Sequence, residues 1–352
     1  MLTKLPIEYD FFTPKIIKKV ISANKALAEL NGVVQKIPNQ SILINSLSLQ
    51  EAKDSSEIES IVTTHDELYK SRISNQYISK EAKEVESYAQ ALIDGFSRVQ
   101  KNKLLTNRDI KAIQSMLEGN NAGFRTQPGT TLTNEETQEI IYTPPQDRAV
   151  IEEMMDDLEK YINSCDDDID PLIRMAIIHH QFESIHPFFD GNGRTGRIIN
   201  ILYLVLSDLL DMPVLYLSRF IIKNKHDYYR LLQEVRETND WNDWVLYILQ
   251  AVEVTAQETI LIIHAIWNLM GETKHIMKKE LPNIYSKDLL EILFSHPYTK
   301  IDFLVQELGY SRQKASRHLN ELTEKGYLEM LPIGTNKYFI NTPLFELLKN
   351  KI

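Results

Sequence analysis

At 352 residues the chain is long enough for two or three domains around a large buried core, and 43% hydrophobic with 25% charged residues is ordinary soluble globular composition. A formal net charge of −10 argues against a protein that coats nucleic acid non-specifically, while leaving room for a local basic face. The single cysteine, Cys165, excludes an intrachain disulfide and suits a reducing compartment, and the N-terminus lacks the charged start and apolar core of a signal peptide, so cytoplasm is the expected location.

Residues 14–36 read as the first helix, opened by Pro14 and carrying Ile17, Val20, Ile21, Leu27 and Leu30 at helical spacing. Asn39 can cap a second helix from Gln40 to about Ala52. Behind it comes Asp54-Ser55-Ser56-Glu57-Ile58-Glu59-Ser60-Ile61, where Ser55 and Glu59 would share one helix face; by composition alone this is a solvated acidic segment. Helical patterns follow over 81–102 and 106–118, the second opened by Thr106 and Asp109 as a capping-box-like start. Between 119 and 145 Gly, Asn, Thr and Pro are frequent and Ile140-Ile141-Tyr142 is β-prone, which predicts a loop or hairpin. Residues 146–164 are helical again. Asp166, Asp167, Asp168 and Asp170 precede Pro171; they invite a calcium reading, but an acidic helix N-terminus accounts for them as well and is preferred.

The pattern over 171–185 places Leu172, Met175, Ile178, Phe182 and Ile185 on one helix face, and Pro187 ends that helix. The twelve residues from His186 to Arg197 then carry the densest chemistry in the chain. Gly191-Asn192-Gly193 supplies backbone that can approach a ligand closely. The helix opening behind it offers free N–H groups to an anion. Arg194 and Arg197 lie three apart, so both can face that anion; Asp190 is a carboxylate suited to Mg²⁺, and His186 is a candidate base. An EF-hand opened at Asp190 would need glutamate where the chain has Ile201, and His179, His180 and His186 do not fit the H-E-x-x-H frame of a zinc helix. Base, metal ligand, cradle and guanidiniums in one loop make a site for phosphate chemistry.

The apolar run over 198–210 includes Asn200 and Ser207 and is too short to span a bilayer, so it reads as a core helix ended by Asp211-Met212-Pro213. Residues 224–237 carry Tyr228 and Tyr229, followed by Trp241 and Trp244; aromatics at this spacing are usually core. From Trp241 a helical pattern runs to about Lys279, and Pro282 stops it. Residues 286–352 then predict three short helices, the last two joined by Gly309-Tyr310-Ser311, and two strands flanking Gly334-Thr335-Asn336. Arg312, Lys314, Arg317 and His318 give the third helix a basic start, as in a DNA-reading helix, although Glu321, Glu324 and Glu329 are close by.

The stretch from His186 to Arg197 matches every fixed position of the Fic family signature, HPFx(D/E)GNGRxxR. The resemblance implies a mainly α fold: a Fic-type helical core with a β-hairpin flap, plus a C-terminal domain resembling a winged helix-turn-helix. The corresponding divisions are 1–105 for an N-terminal helical region, 106–245 for the core, 246–283 for a linking helix and 284–352 for the winged helix. It implies transfer of AMP from ATP to a Tyr, Thr or Ser hydroxyl of a protein. His186 would be the base, Asp190 the Mg²⁺ ligand, and Gly191, Asn192 and Gly193 would stabilise charge on the α-phosphate. Arg194 would hold the inner phosphates, Arg197 the γ-phosphate, and Tyr229 would contact the adenine. Residues 123–145 resemble the flap on which a target protein docks by strand addition. Family members with an N-terminal inhibitory helix carry Ser/Thr-x-x-x-Glu-Gly/Asn, whose glutamate pairs with the last signature arginine. This chain has Ser55 and Glu59 in that frame but Ser60 where Gly or Asn is usual. Alternatives from the same residues are removal of AMP, transfer of another phosphate-containing group, a DNA-binding regulator with a sensory Fic core, and a toxin restrained by a separate antitoxin, the last disfavoured by the built-in segment. A DNA or protein partner for the winged helix and a homodimer are further expectations.

Overall fold

The computed structural model describes residues 3–37, 39–73, 79–133, 137, 139–164, 168–333 and 336–350. Helix α1 (Pro14–Val34) starts at a proline, with Thr13 accepting from the Ile16 N–H as its cap. In α2 (Ser41–Ile58) the first turn is tied by Asn39, which accepts from the Ser41 N–H at 3.0 Å. This helix runs six residues past the predicted end at Ala52, and its polar second half is buried. Asp54, Ser55, Ser56 and Ile58 therefore do not face water, while Glu59 and Ser60 at the end of the helix are exposed. Glu51 accepts from the hydroxyls of Tyr88 and Ser218, and Asp54 accepts from the Gln50 amide at 3.1 Å, so the interior supplies the partners that water would. Burial pushes the Glu51 carboxyl up to about 8, with Asp54 adding to the effect against the Ser218 hydrogen bonds and Arg197.

A short helix the sequence did not predict, α3 (His65–Ile73), leads to α4 (Lys80–Asn102) and α5 (Asn107–Glu118). The expected capping box of α5 is present, with Thr106 and Asp109 exchanging side-chain and backbone bonds. Strands β1 (Leu132–Thr133) and β2 (Ile140–Tyr142) pair antiparallel as the expected hairpin; Asn134, Glu135, Glu136 and Gln138 of its loop lie outside the described residues. Asp147 caps α6 (Arg148–Asn163), and Asp170 caps α7 (Pro171–Ile185) by accepting from the Leu172 N–H. That cap is what the acidic reading of this stretch required, while Cys165, Asp166 and Asp167 lie outside the described residues.

Helix α7 and α8 (Asn192–Leu206) form the centre. The sequence predicted one apolar face for α7, but every residue from Leu172 to Ile185 is buried; His179 meets the Tyr228 hydroxyl at 2.8 Å and His180 the Leu232 carbonyl at 3.1 Å. Helix α8 ends at Leu206, earlier than predicted, because Asp208 turns left-handed at φ 55° and the chain folds back onto the Leu204 carbonyl. Around this pair stand α9 (Leu217–Lys223), α10 (Lys225–Thr238) and α11 (Asn242–Glu280). By length and composition α11 could cross a bilayer, but more than half of its apolar window is buried, against α1, α7 and α9 among others. It also crosses the expected division at 245–246 without a break, so core and linking helix are one rod.

The C-terminal part contains α12 (Lys287–Ser295), β3 (Tyr298–Lys300), α13 (Ile301–Leu308), α14 (Arg312–Glu324), β4 (Glu329–Ile333), β5 (Asn336–Ile340) and α15 (Thr342–Asn350). Strands β4 and β5 pair antiparallel and β3 adds to β5, while Gly334 and Thr335 lie outside the described residues. Strand β5 lies where expected, but β4 starts at Glu329, after Gly326, Tyr327 and Leu328, where it was expected, because Gly326 at φ 78° turns the chain at the end of α14. The basic start of α14 is weaker than its sequence. Arg312 pairs with Asp302 at 2.6 Å, Lys314 sits 3.7 Å over the Tyr310 ring, and His318 is buried, so His318 is withdrawn from the basic face it was expected to join. This part rests on the N-terminal helices: Asn39 donates to Glu291, Ser41 meets Ser295, and Tyr69 stacks on Tyr298.

Candidate active site at the start of helix α8

His186 is the left-handed C-cap of α7, at φ 49° and ψ 60°, with its N–H donating to the Phe182 carbonyl. Left-handed backbone is uncommon for residues other than glycine, although histidine adopts it more often than most, and it is held here by its surroundings. Arg125, fully buried, donates from Nε to the His186 carbonyl at 2.9 Å and from its guanidinium to the Pro145 carbonyl, while its own N–H donates to the Pro187 carbonyl. One side chain thus ties both flanks of the hairpin to the loop. The sequence placed Arg125 only among flap-flanking residues; nothing in its spacing marked it as a brace.

Burial, and then the positive charges of Arg125 and Arg236, bring the His186 pKa down to about 4. The imidazole is therefore neutral, and able to accept a proton, throughout the neutral range. The acid limb of a reaction that uses it as base should fall at about 4 rather than near the ordinary 6.5. A kcat/KM profile between pH 4 and 8 measures this, and an acid limb near 6.5 would remove the assignment.

Past Pro187 the loop is braced from inside. Asn192 Oδ1 accepts from the Phe188 N–H and its Nδ2 donates to the Phe188 carbonyl, both at 2.8 Å. The Asn192 side chain, expected beside the α-phosphate, is thus spent on the loop, leaving its backbone N–H for an anion. Gly191, at φ 77°, opens α8 without a side-chain cap, so the first N–H groups of the helix remain for a ligand. Asp190 is exposed and accepts from the Gly191 N–H at 2.7 Å. Among the described residues no group of three or more His, Cys, Asp or Glu is placed to hold a metal. A lone exposed carboxylate beside an anion cradle fits Mg²⁺, which keeps several waters and is commonly shared between one or two carboxylates and substrate phosphates.

The two arginines do not face one anion in this structure. Arg197 is almost wholly buried: Nε donates to Ser55 Oγ at 2.7 Å, and Nη2 donates to the Ser55 carbonyl at 2.9 Å and to Glu59 Oε1 at 2.8 Å. Burial acts to raise the Glu59 carboxyl, but the charge and hydrogen bond of Arg197 outweigh it and hold its pKa below the usual 4.5. Arg194 pairs elsewhere, with Glu118 at 2.7 Å and Glu84 at 3.4 Å. Ser55 and Glu59 thus both meet Arg197, in the pairing of glutamate with the last signature arginine that the family resemblance implies, while Glu118 and Glu84 carried no signal in the sequence. Tyr229, the expected adenine contact, is exposed at the rim, with Lys225 5.9 Å from its ring centre. Lys225 also donates to the Ile58 carbonyl at 2.7 Å and caps the end of α2.

The geometry at Ser60 explains why Gly or Asn is usual there. Ser60 N–H donates to the Glu57 carbonyl and Ile61 N–H to the Ser56 carbonyl, both at 3.0 Å, and Ser60 has φ 63°. These are the two bonds of a Schellman stop, whose left-handed residue is favourable for Gly and strained for Ser. Ser60→Gly should therefore raise the unfolding free energy by about 1 kcal/mol, measured by urea denaturation. An unchanged or lowered midpoint would show that the strain is not there.

Comparison with known proteins agrees with this site. The Fic/DOC family N-terminal model matches residues 17–97, the Fic/DOC family model residues 104–204, and the model described as protein adenylyltransferase SoFic-like, C-terminal domain, residues 269–344. Protein adenylyltransferase fic-1 of Caenorhabditis elegans is 30% identical over 119 residues, covering 34% of this chain and 22% of that protein. Protein adenylyltransferase Fic of Nematostella vectensis is 34% identical over 87 residues, covering 22% of this chain and 19% of that protein. The chain therefore matches only about a fifth of the length of these curated relatives. A Fic family protein from Desulfovibrio desulfuricans G20 has the same fold, with a TM-score of 0.59 at 19% identity over 96% of this chain and 98% of that one. A fragment of Fic-1 from C. elegans aligns at a TM-score of 0.52 and 22% identity, covering 69% of this chain and 71% of that one. With the two Fic/DOC models matched in order on either side of residue 100, the signature at the mouth of α8 and the fold shared along nearly its whole length, the chain belongs to the Fic family.

Proposed function

We propose that the protein transfers AMP from ATP to a hydroxyl side chain of a target protein, and that Glu59 restrains it. The observation that carries this reading is the Glu59 carboxylate itself: it lies on Arg197 and against Gly193, so that a Cβ there would overlap Glu59 Oε1. An anion of the chain's own already occupies a buried cationic cradle at a helix N-terminus, where the terminal phosphate of a nucleotide would otherwise be held.

When Glu59 leaves, Arg197 takes the γ-phosphate and the first N–H groups of α8 receive the inner phosphates. His186 accepts the proton of the target hydroxyl as its oxygen bonds to the α-phosphorus; the bond from that phosphorus to the bridging oxygen breaks, and pyrophosphate departs. The helix N–H groups stabilise the charge that develops on the α-phosphate oxygens. Asp190 would hold Mg²⁺, whose charge would offset that of the phosphates. The target's route to His186 is the flap: β2 is an edge strand with Ile140 and Ile141 exposed, and the Tyr142 hydroxyl donates to the Ser184 carbonyl at 3.0 Å, two residues before the base. Main-chain pairing along such an edge presents a side chain without reading much of its sequence.

The test is incubation with ATP labelled at either the α- or the γ-phosphate, in the presence of Mg²⁺. Label carried to protein from the α-position alone supports AMP transfer. Label from the γ-position would make the site a kinase, and no label from either would remove ATP as the donor.

A further inference from the structure

Resting on the nucleotide reading above, we propose that Glu118 is a second internal anion, one that occupies the inner half of the phosphate cradle on Arg194 as Glu59 occupies the outer half on Arg197. Nothing in the signature or in the inhibitory helix includes this residue. It is the last residue of α5, a different element, 59 positions after Glu59.

The two glutamates stand in parallel positions. Glu59 crowds Gly193, and a Cβ on Gly191 would lie 2.5 Å from Glu118 Oε1. Both carboxylates are thus packed against the glycines that open α8, where the unpartnered helix N–H groups lie. Each has its own guanidinium: Glu59 to Arg197 at 2.8 Å and Glu118 to Arg194 at 2.7 Å. Both arginines are almost fully enclosed. A phosphate chain entering this cradle must take both guanidiniums, and so must displace both carboxylates.

The surroundings of Glu118 make it the looser of the two. Burial raises its pKa, Arg194 opposes this, and the nearby carboxylates Asp190 and Glu84 add to the rise. Glu59, by contrast, has its pKa lowered by Arg197. Glu118 also shares its guanidinium with Glu84, whereas Glu59 is the carboxylate hydrogen-bonded to Arg197. Once Glu118 leaves, Glu84 at 3.4 Å remains beside Arg194 and keeps the guanidinium oriented.

The test uses inorganic tripolyphosphate, so that it reads the cradle without the nucleoside, with ATP titrated in parallel by calorimetry on the full chain. The proteins are wild type, Glu59→Gly, Glu118→Gln, Glu118→Ala and the Glu59→Gly/Glu118→Gln double variant. Both Glu118 variants should bind tripolyphosphate about tenfold more tightly than wild type, and the double variant more tightly than either single variant. Unchanged or weaker tripolyphosphate binding in both Glu118 variants would overturn the proposal, because Glu118 would then be holding Arg194 in place for the anion. If ATP binds no more tightly than tripolyphosphate in any variant, the nucleotide reading fails, while the tripolyphosphate result still decides the role of Glu118.

Discussion

Glu59→Gly should raise the initial rate of AMP attachment by about tenfold to a hundredfold, the range expected when a charge-assisted hydrogen bond worth about 1.5–3 kcal/mol no longer competes with the substrate. The variant removes the carboxylate hydrogen-bonded to Arg197 and leaves Ser55 Oγ and the Ser55 carbonyl as its partners among the described residues. Those are neutral, so a γ-phosphate no longer competes with a carboxylate hydrogen-bonded to the guanidinium. A second consequence separates this from a general loosening of the fold. Leaving a buried Arg197 unpaired destabilises the ligand-free variant by several kcal/mol at most, whereas ATP restores a counter-charge. The melting temperature should fall without nucleotide and rise on adding it by more than in wild type. A variant that is both unstable and unresponsive to ATP would count against Glu59 as a stand-in for phosphate.

The same pair has a predictable pH dependence. The Glu59 pKa is lowered in the folded state, so its contribution to stability is complete above its ordinary value of 4.5 and is lost as pH falls through the depressed value. Mild acid near pH 6 should therefore not release the enzyme. Release requires a competitor for Arg197 or movement of α2. That helix is anchored at both ends, at Ile58 by Lys225 and at Asn39 and Ser41 by α12, so the C-terminal part is in contact with the helix that leads to Glu59.

How much of this was visible in the sequence depends on whether the relevant partner is local. His186, Asp190, Gly191, Arg194 and Arg197 are legible because one loop and one helix turn contain them all. The Ser55–Glu59 frame is legible because a single turn of helix puts both on one side. The burial of α2 is not, because Glu51 is satisfied by Tyr88 and Ser218, far away along the chain. Arg125 and Glu118 are invisible for the same reason: each acts on a residue more than sixty positions away. Nor could His318 be separated from the exposed basic residues around it, since its burial depends on the packing of α13 and α14. Local chemistry is written in the chain; long-range electrostatic partners appear only when it folds.

His186→Ala in the Glu59→Gly background should lower AMP attachment by about 10²- to 10⁴-fold, the contribution typical of a positioned general base. The background matters, since in the restrained protein the signal is too small to lose. Nucleotide affinity should stay within a factor of about two, because a base that receives its proton only as the hydroxyl attacks contributes little to ground-state binding. His186 also sits in left-handed backbone, so a loss of activity in the alanine variant could come from a loop that has moved. His186→Asn addresses that point: asparagine accepts left-handed geometry more readily than other side chains but supplies no base near neutral pH. Both variants inactive, with ATP affinity retained, assigns the proton to His186. An active asparagine variant would mean that the position is needed for its backbone turn, and that Arg125, which grips the His186 carbonyl, is holding a shape rather than a base.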